Sequence, residues 1–233
     1  MTSKRFLITG FTIFIYVLLI AVKTGEYYVA QAQEKTVQGT GSNASKLVKL
    51  VKKTLDDIST FSCSFNTEQF SKSTDTTQHI SGTIWMKMKK PFLFRMERPG
   101  NIIVIDGKTI WTYLPDYKQV QISDYDKEGG NFPTPYNIFN RYADERKAVL
   151  SGEEEIHGGK CDIISLVSDN PAEIKVTVWI DRTLHIPVKA IEESPSGDVF
   201  THIISTIRLN ENINESIFTF VPPEGVTKID LRE

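Results

Sequence analysis

Cysteine is scarce: Cys63 and Cys161 are the only two in 233 residues, too few for a disulfide framework, and neither directly follows the N-terminal apolar run as a lipid-modified cysteine would. An oxidising compartment would permit a Cys63–Cys161 bridge, and two buried thiols acting as small apolar residues are the alternative. Histidine is sparse too, with four residues. His79, His157, His185 and His202 fall on separate predicted strands or turns, and without HExxH or CxxC spacing they offer no metal site. Also missing are the GxSxG nucleophile elbow, the Walker loop and GxGxxG, so no sequence motif marks an enzyme and no cofactor is expected. Lys and Arg form no run longer than two and the formal charge is only −2, which removes nucleic acid from the expected partners. Asp124-Tyr125-Asp126-Lys127-Glu128-Gly129 opens like a calcium loop, but Pro135 stands where the bidentate Glu of the twelfth position belongs. It reads as a solvated acidic loop. Glu153-Glu154-Glu155 reads as an exposed charge run at a strand end.

What the chain has is a targeting signal and a large amount of sheet. Lys4 and Arg5 precede a nearly uninterrupted apolar run over 6–22, and Ala30-Gln31-Ala32 has the form of a small-residue cleavage site. Residues 1–32 therefore read as a signal peptide, with an uncleaved anchor as the alternative, because 17 apolar residues just reach across a bilayer. Both readings put the rest of the chain outside the cytoplasm, where it is mildly acidic. Residues 33–43 read as a flexible polar leader and 44–233 as one domain.

Within that domain Ser42 or Asn43 is placed to cap an amphipathic helix whose apolar positions Leu47, Leu50, Val51, Leu55 and Ile58 recur at helical spacing. From Phe61 on, period-two alternation dominates, clearest at Ile174, Val176, Val178 and Ile180, which interleave with Glu173, Lys175, Thr177, Trp179 and Asp181. The same pattern predicts strands near 61–70, 79–88, 92–97, 101–105, 109–114, 117–122, 147–156, 160–168, 186–193, 198–209 and 217–221. Asp106-Gly107 predicts a type I′ hairpin and Ser196-Gly197 a weaker one. The exception is 129–144, a Gly- and Pro-containing connection leading into the aromatic stretch with Tyr136, Ile138, Phe139 and Tyr142. That stretch suits a short helical lid over an apolar sheet face, and the fold class expected is all-β with helical lids.

Several segments, in order, resemble the LolA family of periplasmic outer-membrane lipoprotein carriers. These are Phe61-Ser62-Cys63-Ser64-Phe65, Gly82-Thr83-Ile84-Trp85 leading to Lys90-Pro91-Phe92-Leu93-Phe94-Arg95, and Val104-Ile105-Asp106-Gly107-Lys108-Thr109-Ile110-Trp111-Thr112-Tyr113 with Gln119-Val120. Thr134-Pro135 followed by Arg141, and Phe218-Thr219-Phe220-Val221-Pro222-Pro223-Glu224-Gly225-Val226, complete the set.

The resemblance implies an unclosed antiparallel β-barrel of about eleven strands, with helices forming a lid over a hydrophobic cavity. It implies a monomeric carrier whose cargo is acylated lipoprotein, received from an inner-membrane ATP-driven release complex and handed to an outer-membrane acceptor. Lys90 occupies the place of the basic residue that holds the lid closed in the family, with Lys89 its neighbour and rival; Lys supplies charge there but no planar fork. Phe94 matches an aromatic position near the cavity mouth, and Ile138, Phe139 and Leu55 match lid or lipid-contact positions. Met96 stands where relatives carry Trp. Two other readings share the composition: a periplasmic sensor or regulatory module on the same half-barrel, and an enzyme acting on lipid or glycan.

Overall fold

The computed structural model describes residues 40–125 and 134–232. The apolar segment 6–22, the cleavage site 30–32, the leader residues 33–39 and the 126–129 end of the acidic loop lie outside them. The first helix, α1 (Thr40–Asp57), begins ahead of its expected cap, so Ser42 and Asn43 belong to the helix, which extends readily once nucleated. Its inward stripe is Ala44, Val51 and Leu55 with Leu47 and Val48 alongside, whereas Leu50 turns to solvent with 40% exposure. Among the described residues no helix is long and apolar enough to cross a membrane.

The strands are β1 (Thr60–Ser71), β2 (Thr76–Lys87), β3 (Leu93–Arg98), β4 (Asn101–Ile105), β5 (Thr109–Leu114) and β6 (Gln119–Asp124), then helix α2 (Pro135–Ala143). They continue with β7 (Lys147–Ile156), β8 (Gly159–Val167), β9 (Lys175–Asp181), β10 (Pro187–Glu193), β11 (Val199–Leu209) and β12 (Thr227–Asp230). All twelve belong to one open sheet in the order β12-β6-β5-β4-β3-β2-β1-β11-β10-β9-β8-β7. Neighbours pair antiparallel except β12, which runs parallel to β6, so the sheet is mixed, with twelve strands among the described residues where the resemblance implied about eleven.

The difference lies at the C-terminal end. The strand predicted at 217–221 is instead a 3-10 turn, Glu215–Phe218, whose cap Asn214 accepts a hydrogen bond from Ser216 N at 3.1 Å. Pro222 and Pro223 follow directly and lack the N–H groups that a ladder needs. The chain rejoins the sheet only at Thr227. The Asp106-Gly107 hairpin forms, but Gly107 alone takes positive φ, so the turn is not type I′. The Asp106 carboxylate accepts from Lys108 N, Thr109 N and the Trp111 indole. Although partial burial pushes the other way, these bonds hold its pKa below the usual carboxylate value.

The strand registers place side chains in rows across the sheet. On the inner face Phe61, Met86, Phe94, Ile105 and Ile110 stand opposite one another on β1 to β5, and all are buried. Across the other half, Ala190, Val178, Ile164 and Leu150 form the matching row. Val176, Val178 and Ile180 point inward and Lys175 outward, as the alternation requires. Trp179, on the opposite face, is also buried: its indole donates to Glu154 at 2.5 Å and Lys189 lies over its ring at 4.2 Å. The glutamate run is therefore exposed yet bonded, with Glu153 also pairing with Arg182.

Cys63 and Cys161 are free and buried. They occupy β1 and β8, with three strands between them. At roughly 4.8 Å per strand spacing that is about 19 Å, far beyond disulfide reach. Burial pushes Cys63 up to about 12 and Cys161, also beside Asp181, up to about 11, so both remain thiols at neutral pH.

The outer face has a cover of its own. Val104, Val120 and Ile122 are buried there beneath the segment after β11, where Phe218 is buried and Phe220 packs on Trp111 and Tyr113 with ring centres 5.9 and 5.6 Å apart. Arg95 donates to Ile217 O at 2.9 Å and to Glu97 at 2.7 Å, fixing this strap across β3.

Candidate functional site

The inner face is apolar and plugged by the two helices. α2 starts where Thr134 Oγ1 accepts from Asn137 N at 3.2 Å and Pro135 presets the first helical φ. It then turns Ile138 and Phe139 inward, both with no exposed surface. They pack in the same cluster as Val51 and Leu55 of α1 and Phe94, Ile164 and Val178 of the sheet. Each such side chain contributes about 1.5–3 kcal/mol to closure. The helices are therefore sheet-covering plugs, and lifting them would expose a continuous apolar wall.

Phe94, Ile138, Phe139 and Leu55, named from the sequence, are thus brought together. The lysines are not part of that cluster. Lys90 is exposed in the β2–β3 connection with no hydrogen bond or ion pair among the described residues. Lys89 donates to the Asp56 carbonyl at 2.6 Å, satisfying one of the open carbonyls at the C-terminal end of α1. Its contact is with α1, not with the helix carrying Ile138 and Phe139. Met96 is buried in the inner wall.

A polar cluster that sequence reasoning missed ties α2 to the wall. Glu192 on β10 stands opposite Phe200 of β11 and Val176 of β9, so its carboxylate projects from the inner face between apolar neighbours. It accepts a hydrogen bond from Tyr142 at 3.0 Å and pairs with Arg141 at 3.6 Å, both at the end of α2. His202, nearly fully buried, lies 3.7 Å away through Nε2, an ion-pair distance too long for a hydrogen bond, while its Nδ1 is 3.0 Å from Thr67 Oγ1. Burial alone would raise the Glu192 pKa; the His202 imidazole, the Tyr142 hydroxyl and the Arg141 guanidinium outweigh it and hold the carboxyl below its ordinary value. Arg146 extends the tie, stacking on Tyr142 at 4.2 Å and donating to Ile174 O and Glu173. Lys52 pairs with Asp144, joining the two helices.

These residues lie at 67, 141–146, 192 and 202, a separation no local motif spans. The one signal available was an inward-facing Glu in the apolar alternation of Ile186, Val188, Ala190 and Glu192. Elsewhere, an open cleft of about 410 Å3 lies on the outer face between Trp85, Arg208 and the 211–217 loop. Polar and apolar residues both line it, and it stands apart from the helices. Among the described residues no group of three or more His, Cys, Asp and Glu is placed to hold a metal ion.

A family model described as outer membrane lipoprotein carrier protein LolA matches residues 56–221. The chain belongs to the LolA family. Solved structures share the fold of this LolA-family chain at low identity. An uncharacterized conserved protein from Thermus thermophilus is 16% identical, with a TM-score of 0.55, 81% of this chain and 99% of that chain covered. MucB is 13% identical at a TM-score of 0.51, over 81% of this chain and 66% of the MucB chain.

Proposed function

We propose that this LolA-family chain is a periplasmic carrier that holds the acyl chains of lipoproteins against the inner sheet face while α1 and α2 are lifted, and closes on itself when empty. The carrying observation is the plug: amphipathic helices bury Val51, Leu55, Ile138 and Phe139 where a ligand's hydrocarbon would lie. Each acyl CH2 left in water costs about 0.8 kcal/mol, so a lipoprotein leaves a membrane at useful rates only into a comparable apolar site. Closure over the empty wall keeps that site from water and lets cargo compete with the protein's own side chains. Binding is thereby weakened enough for release, since ligand and lid displace one another. Phe94 and Met96 form the wall, and Lys89 steadies α1 at its C-terminal end. No covalent step is involved.

The full relay takes lipoprotein from an ATP-driven release complex of the inner membrane and delivers it to an outer-membrane acceptor. The test is release of newly made lipoproteins from spheroplasts by the purified exported protein, with bound acyl material identified by mass spectrometry. Release with acylated cargo in a one-to-one complex is expected. A protein that carries no acyl material and releases nothing overturns the reading, and stable capture of a membrane protein in place of lipoprotein would favour the regulatory module.

A further inference from the structure

The outer face of α1 carries a row of lysines that does nothing for the helix. Lys46, Lys49 and Lys53 are exposed on the side opposite Val51 and Leu55, and none makes a hydrogen bond or ion pair among the described residues. Lys46 with Lys49, and Lys49 with Lys52 and Lys53, stand three or four residues apart, where like charges destabilise a helix. Of the four, Lys52 is paired, with Asp144. The ends are charged against the helix dipole as well: the first turn has no acidic residue and the last no basic one, and Asp56 and Asp57 stand where cations are favoured. Leu50, one turn from both Lys46 and Lys53, is 40% exposed. Local rules broken with no return in stability point to a role outside the fold.

From this we infer that the outer face of α1 is a docking surface for an anionic lipid bilayer, contacted through Lys46, Lys49 and Lys53 with Leu50 among them. The inference goes beyond the carrier reading and does not rest on it. The composition of the face selects the occupant. Every cation on α1 is a lysine, a point charge without the planar fork that reads a particular carboxylate. Protein interfaces are anchored by Trp, Tyr and Arg and depleted of Lys. A bilayer surface asks for neither shape nor fork; it supplies a diffuse negative potential and an apolar depth for one side chain. Leu50 enters the headgroup boundary, while the lysine stems lie along it and hold their ammonium groups at the phosphates. The chain as a whole has a formal charge of −2, so the same potential that draws this face in repels the rest and orients the molecule.

The experiment is flotation of the full exported chain with two kinds of vesicle at low salt, phosphatidylcholine alone and equimolar phosphatidylcholine and phosphatidylglycerol. Wild type should bind the anionic vesicles and not the neutral ones, and added salt should abolish the binding. Combining Lys46→Gln, Lys49→Gln and Lys53→Gln should weaken it about a hundred-fold, at about five-fold per lysine. The urea midpoint of that variant should match or exceed that of wild type, because the substitutions relieve repulsion within α1. Leu50→Ser should weaken binding yet leave its salt dependence unchanged. The control combines Lys72→Gln, Lys160→Gln and Lys175→Gln, three exposed lysines outside α1, and should bind within about two-fold of wild type, since charges beyond a Debye length of the surface count for little. Equal binding to both vesicles, binding to neither, or a loss as large in the control as in the α1 variant overturns the proposal. Binding to neither would leave an acidic protein surface as the occupant of the lysine row.

Discussion

The two faces of the sheet are covered in different ways, and the difference bears on which cover could lift without the sheet. The outer cover is the chain itself, running from β11 through Phe218 and Phe220 into β12, where backbone pairing with β6 and the Leu231 N to Ile122 O bond at 2.8 Å lock it down. The inner cover is two helices whose ties to the wall and the β2–β3 loop run through side chains: Tyr142, Arg141, Arg146 and Lys89. A backbone ladder gives way only when the sheet does. Side-chain ties break one at a time and reform, which is the property a lid requires.

The largest test of this contrast is truncation of one aromatic on each side. Phe218→Ala should lower global stability by about 3–5 kcal/mol, read from the urea midpoint. Phe139→Ala removes a side chain of the same size from an even better buried place, yet its cost should stop at the free energy of closing α2, because past that point the protein populates the lid-open sheet. Equal losses for the two would mean that α2 unfolds only with the whole domain.

Next comes Glu192→Ala, expected to lower protection of α2 amides from hydrogen exchange by about 1–3 kcal/mol while β1 and β2 keep theirs. Uniform loss across sheet and helix would show that Glu192 supports the fold as a whole. Acid supplies a gentler version. Glu192 titrates in the closed state below its unperturbed 4.5, so its contribution is present above that value and disappears as pH falls through the folded one. The groups facing it are Arg141, Tyr142 and His202. Protection of the α2 amides, taken relative to their intrinsic exchange rates at each pH, should therefore fall as pH drops below 4.5, and Glu192→Gln should remove that step; an unchanged acid profile in the variant would assign it elsewhere.

The smallest effects belong to the lysines. Lys89→Leu should fray the end of α1 by about 1 kcal/mol, whereas Lys90→Leu should change stability by less than about 0.5 kcal/mol. Lipoprotein transfer by both variants tells whether the basic position before Pro91 acts through α1. A defect confined to Lys90→Leu would return the role to the residue that the resemblance named.

Strands were legible wherever burial on one face imposed period two, which is why Val176 and Val178 point as their spacing says. The covering elements were legible as amphipathic stretches, and Leu55, Phe94, Ile138 and Phe139 do meet. Legibility failed where contacts alone decide. Phe218 and Phe220 alternate like strand residues, but Phe218 is buried by a 3-10 turn and Phe220 is half-buried by packing on Trp111 and Tyr113. The tie of α2 to Glu192 joins residues 50 positions apart in sequence, and its histidine read as an isolated one because its partners come from β1 and β10.

The edge strand β7 has a consequence for concentrated solution. An open sheet offers its outermost backbone groups to any other strand, including that of a second copy. Here the exposed carboxylates of Glu153, Glu154 and Glu155 line that border, so two copies approaching border to border bring like charges together. Any opposition to border-to-border pairing is thus electrostatic, and therefore weakest in high salt.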